Sequence, residues 1–114
     1  MTFLFRMQFP ILLFCATYLS LTGTPGAVFE PYSDKFLHLL CWCVLFISLR
    51  LALLGKARLV ASALGLLAYA TALEALQLLS PGRYFSTLDM FANALGIAIG
   101  LCLWQLYCHF SQAK

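Results

Sequence analysis

Long apolar runs alternate with short polar breaks along the chain. The runs cover about residues 4–21, 36–54, 59–79 and 88–108. Each approaches the ~20 residues that an α-helix needs to cross a hydrocarbon core of ~30 Å. Within a run the apolar signal is continuous and lacks the period-two alternation of a barrel strand, which favours helices. The breaks carry turn chemistry: "TGTPGAVFEPYS" (22–33), "GKAR" (55–58) and "SPGRYFST" (80–87), where Pro81–Gly82 is a strong turn signal. The pattern predicts an all-α polytopic membrane protein, a bundle of four transmembrane helices in a single domain over 1–114.

Composition sharpens this. Apolar residues make up 63% of the chain and charged residues 10%, against roughly a quarter charged in a soluble domain. The solvent this implies is the lipid bilayer. The net charge of +3 comes from scattered cations with no basic stripe, so no nucleic acid is expected as a partner. Cys15, Cys41, Cys43, Cys102 and Cys108 all fall inside apolar runs. Cys41 and Cys43, two apart, point to different sides of a helix, so neither a metal set nor a disulfide framework is expected, and no cofactor. The first run has some features of a signal peptide. However, Pro25 lies beside the only small-residue cut, near Ala27, and no small residue precedes Cys15, so the run is expected to stay uncleaved.

Orientation follows from lysine and arginine. With an N-in/C-in arrangement the cytoplasmic side holds Arg6, Arg50, Lys56, Arg58 and Lys114, and the far side only Lys35 and Arg83. All four acids, Glu30, Asp34, Glu74 and Asp89, then lie on the outer half.

That topology gathers the unusual residues at one depth. The second helix starts outside with "SDKFLHLL", the third ends there with "EALQLL", and the fourth starts there with "TLDMFANALG". Asp34, Lys35, His38, Glu74, Gln77, Arg83, Asp89 and Asn93 are therefore the candidate ligand-binding residues. Asp34 and His38 share a face, as do Glu74 and Gln77. Asp89, Asn93, Gly96 and Gly100 form one stripe, whose lower half is a GxxxG pattern suited to close helix packing. The small-residue face of the third helix, Ala63, Ala70 and Glu74, is expected to meet Gly96 and Gly100. Glu74 lies six residues before Ser80, roughly 9 Å below the turn. There it needs a cation or a proton, and Lys35, His38 and Arg83 are the available cations.

Each piece also has a plainer explanation. Ser86 and Asp89 match a capping box. Asp34 suits a helix N-terminus. His38 fits an ordinary interfacial histidine, Gln77 and Asn93 interhelical hydrogen-bonding, and Arg83 a solvated turn. None of these requires a glutamate buried beside three cations.

The order of motifs, "SDKFLHLL", then "EALQLLSPGR", then "STLDMFANALGIAIG", over residues 33–100, resembles the VanZ-like family. The resemblance implies a small multi-pass protein of the bacterial inner (plasma) membrane. The family's name comes from a protein associated with low-level resistance to the glycopeptide teicoplanin, and most members have no established activity. Its hallmark positions fall here on Asp34, Lys35, His38, Glu74, Gln77, Pro81, Gly82, Arg83, Asp89, Asn93, Gly96 and Gly100. Many members carry a tyrosine about four residues past the histidine and a glycine before the glutamate segment. Here those regions read "CWCVLF" and "YATALE".

Three classes of function stay open. The first is a cell-envelope binding protein whose Lys35, Arg83 and His38 hold an anionic ligand such as a lipid head group, a cell-wall precursor or a glycopeptide. The second is a membrane-embedded enzyme acting on a lipid or cell-wall precursor, with His38 and Glu74 as acid and base and Arg83 stabilising charge. Its metal-assisted variant lacks any HExxH spacing. The third is a structural partner of another membrane protein or of a second copy, with the polar cluster as a packing network. No catalytic residue or metal ligand is singled out. A shared site requires His38 and Glu74 on the same side of the bundle.

Overall fold

The computed structural model describes residues 2–22, 31–53, 58–79 and 87–112. They form four helices: α1 (Thr2–Thr22), α2 (Pro31–Ala52), α3 (Leu59–Gln77) and α4 (Thr87–Gln112). All four are long and apolar enough to cross a membrane, and no strand occurs among the described residues. The helices outrun the apolar runs at two points. α2 begins at Pro31, five residues before its apolar run, because proline is preorganised for a first helical turn whose N–H groups have no intrahelical acceptor. α4 continues through His109 to Gln112.

Interhelical contacts fix the topology. Residue numbers rise together along α2 and α4: Lys35 meets Asp89, His38 meets Asn93, Leu39 meets Gly96, Cys43 and Phe46 meet Gly100, and Arg50 lies over Trp104. These two helices are therefore parallel, and they form the most extensive interface in the molecule. α1 and α3 are also parallel, Thr17 meeting Tyr69 and Ser20 meeting Gln77. α1 runs opposite to α2, with Gln8 against Ser48 near one end and Ala16 beside Leu37 and Leu40 toward the other. The bundle is up-down-up-down.

The core lies between α2, α3 and α4, where Trp42, Leu45, Phe46, Leu66, Ala70, Leu73 and Ile97 are buried. Over residues 3–21 α1 contributes no fully buried residue, and it packs on the outside through Phe9, Leu13, Ala16 and Leu21. Polar bonds supplement that contact. Gln8 Nε2 donates to the Ser48 carbonyl at 3.5 Å and Gln77 Nε2 to the Ser20 carbonyl at 3.1 Å. The Thr17 hydroxyl gives its single proton to the Leu13 carbonyl, so in the 2.6 Å contact with Tyr69 the phenol is the donor.

The glycine stripe does not face α3 as its spacing with Ala63, Ala70 and Glu74 suggested. A Cβ at Gly96 would lie 2.2 Å from the Leu39 carbonyl oxygen, and one at Gly100 would lie 3.0 Å from the Cys43 carbonyl oxygen and 3.1 Å from the Phe46 Cβ. The neighbouring backbone is that of α2. Ala70 and Glu74 are buried and Ala63 is half-buried against the core, while the atoms nearest the glycines' open faces belong to α2. A small-residue stripe predicts that some backbone comes close, and the parallel helix supplies it.

The five cysteines are free thiols.

Candidate functional site

The first turns of α2 and α4 carry two cross-helix polar pairs. The ammonium of Lys35 is paired with the Asp89 carboxylate, both partly buried. One turn deeper, His38 Nδ1 lies 3.1 Å from Asn93 Oδ1, so with a proton on Nδ1 the ring donates to the amide oxygen. Asn93 is buried and His38 half-buried. The two contacts stack because Lys35 and His38 are three apart and Asp89 and Asn93 four apart, spacings that place both members on one face of their helices. The close approach at Gly96 and Gly100 brings the two faces within reach.

Glu74 is 2% exposed and among the most buried side chains of the protein. Its depth follows from the helix register. Arg50 Nη1 donates to Ser62 Oγ at 2.8 Å and Arg50 stacks on Trp104, so positions 50, 62 and 104 share a level. Twelve residues along each helix toward the other end lead to His38, Glu74 and Ala92, about 18 Å away on all three. Glu74 therefore lies in the layer of His38 and Asn93, inside the bundle. His38 and Glu74 belong to one end of the molecule, as a shared site requires.

Gln77 is buried at the same end but turns to the outer helix, where it bonds the Ser20 carbonyl. Asp34 lies in the first turn of α2, and its side chain lies outside the described residues. Arg83, Pro81 and Gly82 also lie outside them, as does Ser86, the partner in the capping-box reading of Asp89. Among the described residues no three of the His, Cys, Asp and Glu side chains are close enough to hold a metal ion. The donors that converge are a cation, a histidine, an amide and two carboxylates. Such a set recognises a polar ligand by charge and hydrogen bonding, and it also contains a histidine and a carboxylate suited to proton transfer.

A second polar cluster lies at the opposite end, and its burial was not anticipated. Arg50, counted above as a cytoplasmic-side charge, is 4% exposed. Its guanidinium bonds Ser62 and lies 5.6 Å from the centre of the Trp104 ring, and Ser62 Oγ passes a bond on to the Arg58 carbonyl at 3.1 Å. The signal was available: the apolar run 36–54 already encloses Arg50. The long α2 stem carries the charge to the span's end, where the aromatic face accepts it.

Four membrane-length helices with a polar layer built from three of them define a multi-pass integral membrane protein. A family model, VanZ/LLP1, matches residues 2–108, and the chain belongs to that family. No curated protein and no solved structure matches it.

Proposed function

We propose that the polar end formed by α2, α3 and α4 binds an anionic ligand of the bacterial cell envelope from the outer leaflet of the plasma membrane, with the chain inserted N-in/C-in. The observation that carries this reading is the convergence of Lys35, His38, Asp89 and Asn93 on one seam, with Glu74 buried at the same depth. Lys35 keeps about a third of its side chain exposed. It is tethered by Asp89 yet able to exchange that carboxylate for an incoming phosphate or carboxylate. Buried Glu74 supplies a fixed acceptor or a proton beneath it. An amphiphilic wall precursor, a lipid head group or the polar face of a teicoplanin-type glycopeptide fits this chemistry, and the last would connect the site to resistance.

The test is direct binding of a long-chain alkyl phosphate, an alkyl carboxylate and teicoplanin to purified protein, comparing wild type with Lys35→Gln and His38→Ala. Saturable binding of one probe that falls at least tenfold in both variants supports the reading. No saturable binding of any probe, with all proteins folded, overturns it.

One observation favours a second reading. Lys35 with Asp89, and His38 with Asn93, already satisfy one another across the seam, as a structural clasp between helices would. In that case the working surface is a contact with another membrane protein, and an enzymatic role for His38 and Glu74 falls with the binding role.

A further inference from the structure

Charge is divided between the two ends of the bundle more sharply than polarity is. Among the described residues, the end opposite the polar site holds Arg6, Arg50 and Arg58 and no acidic residue, and the other end holds Lys35 with Asp34, Glu74 and Asp89. Lys56 follows α2 and Lys114 follows α4 in the sequence, whose net charge is +3. The described cations share a narrow band of depth. Gln8 bonds the Ser48 carbonyl, so Arg6, two residues earlier on the antiparallel helix, is level with Arg50. Arg58 lies one turn outside Ser62, about 6 Å further out. Arg6 and Arg58 are exposed while Arg50 is buried inside the bundle.

The layer also has a fixed position relative to a bilayer. Lys35 and Arg50 are fifteen residues apart on one helix, about 22 Å, against a hydrocarbon core of ~30 Å. A bundle centred in the membrane therefore places Arg50 just inside the hydrocarbon edge, and the exposed guanidinium groups of Arg6 and Arg58 reach the phosphate level. Trp104, half-buried beside Arg50, has the amphipathic ring favoured at that boundary.

From this we infer that the Arg6–Arg50–Arg58 end is a docking surface for the phosphodiester head groups of anionic phospholipids. Arg6 and Arg58 make the contacts, and Arg50 adds a fixed positive charge held in place by Ser62 and Trp104. Guanidinium matches a phosphate by a two-pronged hydrogen bond, and among the described residues no acidic side chain lies at this end to compete for it. The inference concerns the face opposite the proposed ligand site and does not depend on that reading.

The experiment places the full-length protein in mixed micelles and reads tryptophan fluorescence as dibrominated phosphatidylglycerol or dibrominated phosphatidylcholine replaces the unbrominated lipid. Expected is stronger binding of phosphatidylglycerol, weakened about fivefold for each charge removed in Arg6→Gln and Arg58→Gln and weakened less in the doubly substituted Arg6→Lys/Arg58→Lys protein, which keeps the charge but loses the two-pronged hydrogen bond. Raised salt should weaken the preference in the wild type. Inorganic phosphate at the same concentration should not displace the lipid. Equal binding of the two lipids overturns the inference, as does a preference unchanged in the Arg→Gln double variant, which would move the lipid to the other end. Displacement by inorganic phosphate would show a site for the free anion and overturn the lipid assignment.

Discussion

Lys35 and Asp89 hold opposite charges at the edge of the hydrocarbon layer, where an unmatched ion costs more than it does in water. Asp89→Asn leaves the ammonium with a neutral partner and should lower stability by about 1–2 kcal/mol, the scale of a charged hydrogen bond discounted for the partial exposure of the lysine. The double variant Lys35→Met/Asp89→Leu should recover most of that loss, because the penalty belongs to the leftover ion more than to the missing attraction. Unfolding in mixed detergent micelles reads both, and two losses that simply add would disprove the coupling. His38 and Asn93 form a hydrogen-bonded pair. A double-mutant cycle with His38→Ala and Asn93→Ala should give a coupling of about 0.6 kcal/mol and no more than about 1.7. At this scale the sequence reading gathered Lys35, His38, Asp89 and Asn93 at one end but did not pair them. Spacing along one helix shows that Asp89 and Asn93 share a face. It does not show that the face turns toward Lys35 and His38, because that depends on the rotation of two helices about each other. Gln77 illustrates the limit. It shares a side of α3 with Glu74 by spacing, yet it reaches past the core to the Ser20 carbonyl on α1.

The parallel pair α2 and α4 is the element that builds the site, and glycine sets its spacing. A methyl group at Gly96 would sit 2.2 Å from a backbone oxygen of α2, and no side-chain movement relieves a clash with backbone. Gly96→Ala should therefore push the two helices apart, destabilise the protein by about 1–3 kcal/mol, and loosen the Lys35–Asp89 and His38–Asn93 contacts, and with them the proposed ligand binding. Gly100→Ala meets its neighbours at 3.0–3.2 Å and should be milder. Gly65→Ala, with nothing within 4 Å of the added carbon, should raise stability by about 0.5–1 kcal/mol through helix propensity alone. Thermal melting of the three variants in one detergent tests the ranking, and a Gly96→Ala protein as stable as Gly65→Ala would refute it. The four elements were legible because continuous apolar runs of span length have few alternatives in lipid. The partner of the glycine stripe was not. α2 and α3 both border α4, and a stripe of small residues records how near a backbone comes without recording whose it is.

For the molecule as a whole, the separation of charge predicts its direction in the membrane. Cations gathered at the N- and C-terminal end favour keeping that end in the cytoplasm. In a cysteine-free background, Arg58→Cys should react with an impermeant thiol reagent only after the cells are opened, and Thr87→Cys in intact cells with a permeabilised outer envelope. The reverse pattern would invert the assignment and place the Lys35–Asp89 end inside. The gathering of polar residues at one end was readable from the sequence because four spans with short connections leave only an up-down course. That Arg50 lies within the run 36–54 was readable too, but not where its guanidinium settles, because a long side chain uncouples the position of a charge from the position of its backbone.

The parallel contact between α2 and α4 also has a consequence for how the protein is made. Helices enter the membrane in the order of synthesis, and α3 lies between the two partners in the chain. When α2 and α3 have been inserted, Lys35, His38 and Arg50 are already in place while Asp89, Asn93 and Trp104 are still on the ribosome. Arg50 meets Ser62 as soon as α3 is in place, whereas Lys35 and His38 meet Asp89 and Asn93 only once α4 has entered. Closure of the Lys35–Asp89 and His38–Asn93 seam therefore waits for α4.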